Sequence, residues 1–242
     1  MQHGIVCIID ALATKGVWSI DEPNNYLRKL NRIHKQLDEY IKYFKSLRSP
    51  HKLEYITFSD TIIITLTLSG FPNETSIPMM VRAIDGVFST CFAEDLLMRG
   101  AISFGKFIKR KNILIGPAVD DAALWHDKAQ VIGCVLTPNT TILYESGIDY
   151  MMRDPNQTYD YSQHAIKYNV PFKESKTYLL YMVNWPLSMY KAFAPLGPPD
   201  PILRFKGILG KYQIPAEAYQ KHLNTISFFE YSINQAKLDK HI

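Results

Sequence analysis

Leu53-Glu54-Tyr55-Ile56-Thr57-Phe58-Ser59-Asp60-Thr61-Ile62-Ile63-Ile64-Thr65-Leu66-Thr67-Leu68 is an apolar, β-branched run with the carboxylate of Asp60 set in its middle. Ile and Thr at this density favour a strand, and an ionised Asp inside a buried strand is costly unless a cation neutralises it. The run is longer than a typical strand, so it predicts two strands folded back at Ser59-Asp60. Towards the N-terminus, Gly4-Ile5-Val6-Cys7-Ile8-Ile9-Asp10 is a second apolar run that closes on a carboxylate. Two carboxylates at the ends of apolar strands face each other only if the strands are neighbours in one sheet, where they repel unless a divalent cation lies between them. The pair suggests a metal-nucleotide site.

Between these runs, Ala11 to Gly16 is a small-residue segment that lets backbone approach a ligand, and Ser19 with Glu22 and Pro23 carries helix-start chemistry. Tyr26, Leu30, Ile33, Leu37, Ile41 and Phe44 recur at steps of four and three, which predicts an amphipathic helix ending near Ser49-Pro50. After a loop from Gly70 to Pro78, Val81, Ile84, Val87, Phe88, Cys91 and Phe92 give a second helix. Arg99 to Gly105 reads as a strand, Lys109 to Asn112 as a hairpin tip, Ala118 to about Gln130 as a third helix and Cys134 to Thr137 as a strand. The order is βαββαβ, a ferredoxin-like α+β sandwich with helices on one face of a mainly antiparallel sheet. The texture changes near Gly147, so the expected division is a core over 1–146 and a C-terminal α/β extension over 147–242, with a strand at Thr177–Val183, a linker from Pro195 to Pro201 and a helix from Ala216 to Ala236.

A net charge of +4 with scattered Lys and Arg gives no basic face for nucleic acid, and no apolar stretch reaches the length that spans a bilayer. Cys7, Cys91 and Cys134 are far apart and form no C-x-x-C pair, so a reduced, cytoplasmic setting is expected. The N-terminal apolar run follows no basic region and ends in Asp, so it reads as a strand and not a signal peptide.

Asp10, the turn after it, Asp60 at a hairpin and Arg99 opening a strand are the parts phosphoryl transfer needs: carboxylates for metal, amides for phosphate oxygens and a guanidinium for developing charge. Each residue alone has a plainer reading, Asp60 as a turn former and Arg99 as a solvated residue before Gly100. Tyr55 lies near Asp60 and is a candidate for the nucleotide, although a period of two points it to the opposite face. His126 reads either as a general base or as a surface histidine. Trp125, Tyr159, Tyr161 and Tyr168 read either as stacking groups or as core, and Lys106 with Lys109, Arg110 and Lys111 as a solvated hairpin.

Ile9-Asp10-Ala11-Leu12-Ala13-Thr14-Lys15, Phe58-Ser59-Asp60-Thr61-Ile62, Arg99-Gly100-Ala101-Ile102-Ser103-Phe104-Gly105 and Gly116-Pro117-Ala118 stand in this order over about residues 4 to 145. The series resembles the successive motifs of the bacterial pyrimidine cyclases of anti-phage defence, within the class III adenylate/guanylate cyclase superfamily. The resemblance implies that Asp10 and Asp60, with the Ala11 carbonyl, hold two Mn²⁺ or Mg²⁺ ions. It implies that the amides of Ala13, Thr14 and Lys15 cradle the β- and γ-phosphates and that Arg99 contacts the triphosphate. It further implies a homodimer with active sites at the interface, where the partner's helix, here Ala118 to Gln130 with Asp121, and Trp125 or His126 at the join, forms the second wall. The sequence departs from that pattern at Ala13, where Gly is usual, at Ala123, where Tyr is common, and at Ile132-Gly133-Cys134, where a cation is expected.

Three functions are consistent with this reading. The first is a cyclase making the 3′,5′-cyclic monophosphate of UTP or CTP, or of a purine. The second is a catalytically silent nucleotide-binding scaffold of the same fold. The third is another two-metal phosphotransferase, which the absence of a Gly-Gly-Asp/Glu-Glu-Phe signature places last.

Overall fold

The computed structural model describes residues 1–12, 22–46, 51–69, 75–111, 113–197, 199–211 and 216–239. The long apolar run is a hairpin: β2 (Lys52–Phe58) and β3 (Thr61–Leu68) are antiparallel, Phe58 opposite Thr61, with Ser59 and Asp60 as the turn. Ser59 adopts φ 57°, the left-handed region that tight hairpin turns use. β1 (Gln2–Ala11) lies antiparallel to β3 on one side and to β4 (Met98–Arg110) on the other. Beyond β4 come β6 (Gly133–Leu136), parallel to it, then β8 (Thr177–Val183) and β7 (Ala165–Pro171), so the order is β2-β3-β1-β4-β6-β8-β7, while β5 (Ile113–Ile115) hairpins onto β4. The mixed, largely antiparallel sheet with helices is the α+β class expected.

β1 reads as a continuous apolar run because both of its faces are covered. Ile5, Cys7 and Ile9 join the main core, which takes in α1 (Pro23–Ser46) through Tyr26, Leu30, Ile33, Leu37 and Phe44, and α2 (Ser76–Ala93) through Ile84, Phe88 and Phe92. Val6 and Ile8 belong to a smaller cluster on the other face with Phe107, Ala118 and Ala122. One helix therefore departs from the one-face expectation: α3 (Pro117–His126) covers the second face, and it ends four residues before Gln130. Gly105 lets it sit close, since a Cβ there would already touch the Ala118 methyl at 3.4 Å.

The division expected between 146 and 147 falls inside α4 (Pro138–Arg153), and β7 and β8 extend the same sheet. α5 (Trp185–Phe193), α6 (Pro201–Gly210) and α7 (Ala216–Leu238) follow. Trp185 stacks on Phe92 of α2 with centroids 3.8 Å apart and meets Phe205 and Phe229, so one core runs through both halves. A polar clasp crosses it: Asp85 of α2, 1 % exposed, takes the Ser188 hydroxyl at 2.6 Å and lies 2.6 Å from His164 Nδ1. Tyr159 closes the clasp, its hydroxyl 2.7 Å from His164 Nε2.

Candidate active site

Strand register builds the site. Asp10, at the end of β1, stands opposite Thr61 on β3 and opposite Arg99 on β4. The Thr61 hydroxyl donates to Asp10 Oδ1 at 3.0 Å, and Arg99 Nη2 donates to Oδ2 at 3.3 Å, so one carboxylate is oriented from both flanks. Gly100 permits the close approach of β4, because a Cβ there would lie 2.6 Å from the Ile8 carbonyl oxygen. The turn brings Asp60 alongside: its carbonyl accepts from the Ala11 amide at 3.2 Å. The Asp60 carboxylate is partly exposed and has no hydrogen bond or ion pair among the described residues. Beneath the pair lies Tyr26, whose hydroxyl is pushed up to about 12 by burial first and then by the nearby carboxylates of Asp60 and Asp10. It remains a neutral phenol.

No protein-family model matches the chain, and no curated protein does. In three dimensions it is similar to the non-canonical dimeric guanylyl cyclase domain of the RhoGC fusion protein from the aquatic fungus Blastocladiella emersonii, with a TM-score of 0.52 at 11 % identity, over 75 % of this chain and 93 % of that one. A bacterial light-regulated adenylyl cyclase aligns with a TM-score of 0.49 at 12 % identity, over 87 % of this chain and 97 % of that one. The chain has the fold of a nucleotide cyclase domain.

Within that cyclase fold Asp10, the Asp60 turn and Arg99 meet at one end of three adjacent strands. Ala13, Thr14 and Lys15 lie outside the described residues. Tyr55 is elsewhere: it pairs with Ile64, on the face that packs against α1, donates to Asp38 Oδ1 at 3.2 Å and lies beside His34 with centroids 5.1 Å apart. Two elements of strand alternation thus carry it away from the Asp10 face. Asp121 takes the Ser103 hydroxyl at 2.7 Å, on its own chain's β4. Trp125 packs edge-on against Phe172 and Tyr178 of the β7–β8 hairpin, and His126 Nδ1 contacts the Ala123 carbonyl oxygen at the exposed end of α3. Tyr159 is a clasp group against His164 and Tyr168 a core group against Phe228.

Among the described residues no group of three or more His, Cys, Asp or Glu converges on a metal position. Asp10 and Asp60 still fit a hard divalent ion, because such ions take oxygen donors and are commonly held by one or two carboxylates with substrate phosphates and water filling the shell.

The sequence reading missed three charged groups. Asp127, just past α3, accepts from Arg99 Nη1 and from Lys173 Nζ, the latter at 2.6 Å. Burial alone would lift its carboxyl, but the Lys173 hydrogen bond and the Arg99 charge outweigh that and hold it below the usual carboxylate range. Lys221 of α7 shares this field, pushed down to about 8 by burial first and then by Arg99, and also by Lys173, against the pull of Asp127 and Asp10. Asp127 was adjacent to a residue already weighed, His126. Nothing in the sequence separates Lys173 or Lys221 from ordinary surface lysines.

Proposed function

We propose that this chain is a nucleotide cyclase that converts UTP or CTP to the 3′,5′-cyclic monophosphate and pyrophosphate. The observation that carries the proposal is the convergence of Asp10, the Asp60 turn and Arg99 on three neighbouring strands of a cyclase fold. In the reaction the ribose 3′-oxygen bonds to the α-phosphorus, the bond from that phosphorus to the α–β bridging oxygen breaks, and the hydroxyl proton passes to solvent. Mn²⁺ or Mg²⁺ held by Asp10, Asp60 and the Ala11 carbonyl would lower the pKa of the 3′-hydroxyl and balance the charge of the leaving pyrophosphate. Thr61 and Arg99 fix the orientation of Asp10, so the carboxylate is set before substrate arrives. Arg99 offers its guanidinium to the triphosphate, and its buried Nε has no acceptor among the described residues. By the motif resemblance, amides of residues 13 to 15, which lie outside the described residues, would complete the phosphate cradle.

The pyrimidine base rests on the motif resemblance, as does a second-messenger role in anti-phage defence. The homodimer has structural support in the sheet's second face. That face bears Asp10 and Arg99, is covered only by the short α3 among the described helices, and is bordered by Leu124, Ile113 and Ile115, each more than half exposed. A partner's α3, with Asp121, would close the open side of the site.

The test is product analysis. Protein incubated with Mn²⁺ and mixed nucleoside triphosphates should release a cyclic pyrimidine mononucleotide and pyrophosphate, read by mass spectrometry. Asp60→Asn keeps shape but removes a metal-binding charge, so turnover should fall by roughly 10²–10³. A cyclic purine product would redirect the base assignment, and untouched triphosphates at high protein concentration would leave a silent nucleotide-binding scaffold. Near-normal turnover in Asp60→Asn would remove the two-metal reading.

A further inference from the structure

Arg99 of β4 and Lys173 of the turn between β7 and β8 both donate to Asp127, and the last helix carries Lys221 into the same electrostatic field. The two Asp127 carboxylate oxygens are divided between cations, Oδ1 to Arg99 and Oδ2 to Lys173. Backbone stitching makes this geometry a built feature. The Lys173 amide donates to the Lys128 carbonyl at 3.1 Å, and the Gln130 amide donates to the Pro171 carbonyl at 2.8 Å. On the other flank α7 is pinned to the same segment: Asn224 Nδ2 donates to the Gln130 carbonyl at 2.7 Å, and the Ile132 amide donates to the Thr225 hydroxyl at 2.8 Å. Lys221 lies one turn before Thr225, whose hydroxyl is 2.6 Å from the Lys221 carbonyl oxygen. Gly133 of the same segment stands opposite Arg99 in the sheet.

Asp127 and Asp10 offset two of the three cations, so one positive charge is left over, and two of the side chains reach solvent, Lys173 at 51 % exposed and Asp127 at 46 %. A carboxylate held by a guanidinium and an ammonium occupies the same chemistry as a phosphate oxygen pair, with less charge. We propose that Arg99, Lys173 and Lys221 form a polyphosphate seat completed by the C-terminal half of the same chain, and that Asp127 is an internal anion occupying it until the ligand's phosphates displace it. The ligand class is a polyphosphate, namely the β,γ-phosphates of a nucleoside triphosphate or the pyrophosphate product. Assigning it to a triphosphate substrate rests on the cyclase reading; the anion seat itself does not.

The experiment measures binding of inorganic tripolyphosphate by calorimetry, in EDTA, so that no turnover is possible. Asp127→Asn should bind it about tenfold more tightly than wild type, since the internal competitor loses its charge. Lys173→Gln and Lys221→Gln should each weaken it about fivefold to tenfold. Lys111→Gln, on the exposed β4–β5 tip, should change nothing. All variants are first matched to wild type by circular dichroism and melting temperature. Unchanged or weaker binding by Asp127→Asn would overturn the internal-anion role, and indifference to both lysine variants would overturn the seat. Binding that follows these variants in a protein that yields no cyclic nucleotide would keep the seat and remove the cyclase; turnover with lysine-independent binding would do the reverse.

Discussion

Asp10 shows how a single residue acquires a role from its neighbours: Thr61 and Arg99 hold its two oxygens, and both partners are set by strand register. Lys221 shows the cost of such convergence. Its ordinary value of 10.5 falls to about 8 in the folded chain, because burial and the charge of Arg99 disfavour the ammonium. A base whose pKa drops on folding handicaps the folded state at every pH below the folded value. Between about 8 and 10.5 the unfolded chain binds more protons, so stability rises with pH through that window. Lys221→Met should therefore raise the urea midpoint at pH 7, with the advantage over wild type shrinking as pH approaches 10. A gap that stays constant from pH 7 to 10 would show that Lys221 titrates normally.

At the scale of elements, the instructive contrast is between β1 and β7. β1 is covered on both faces and announces itself as an unbroken apolar run, whereas β7 reads Ala-Ile-Lys-Tyr-Asn-Val-Pro, has exposed or half-exposed residues at most positions, and ends in Pro171. Its place in the sheet comes from pairing with β8, from Ala165 opposite Val183 through Pro171 opposite Thr177. The clasp at Asp85 ties α2 to the segment entering β7 and to α5 through two hydrogen-bonding contacts on one buried oxygen. Asp85→Ala strands His164 and Ser188 without their acceptor, which should cost about 2–4 kcal/mol. Urea unfolding monitored by Trp fluorescence measures it, with Trp185 packed close to the break; a loss under about 0.5 kcal/mol would show that the clasp is replaceable by water.

For the whole molecule, the sheet's second face and the one-sided site lead to a prediction about assembly. If the partner's α3 supplies the second wall, each chain gives a metal face to one site and a helix to the other. Activity per mole should then fall on dilution below the dimer dissociation constant. Mixing inactive Asp60→Asn chains with inactive Asp121→Lys chains should restore roughly a quarter of wild-type activity, because half the dimers are mixed and each mixed dimer holds one intact site. Full activity in a monomer by light scattering, or no recovery where mixed dimers demonstrably form, would rule out shared sites.

The sequence by itself determined the elements whose pattern is local. The β2–β3 hairpin, α1 with its stripe from Tyr26 to Phe44, α2, β4, and the placement of Asp10, Asp60 and Arg99 near strand ends all follow from hydrophobic period and turn chemistry, which act over a few residues. Tyr55 was the ambiguous case, and the partner that settled it, Asp38, lies on a different element. The tertiary structure alone decided that α3 crosses to the second face, that α4 runs through the expected domain boundary, and that Lys173 and Lys221 converge with Asp127 on Arg99. The physical reason is range. A lysine on an amphipathic helix has the same local pattern whether it faces water or a guanidinium 122 positions earlier in the chain. Only the packing of α7 against residues 130 to 132 brings those charges into one field.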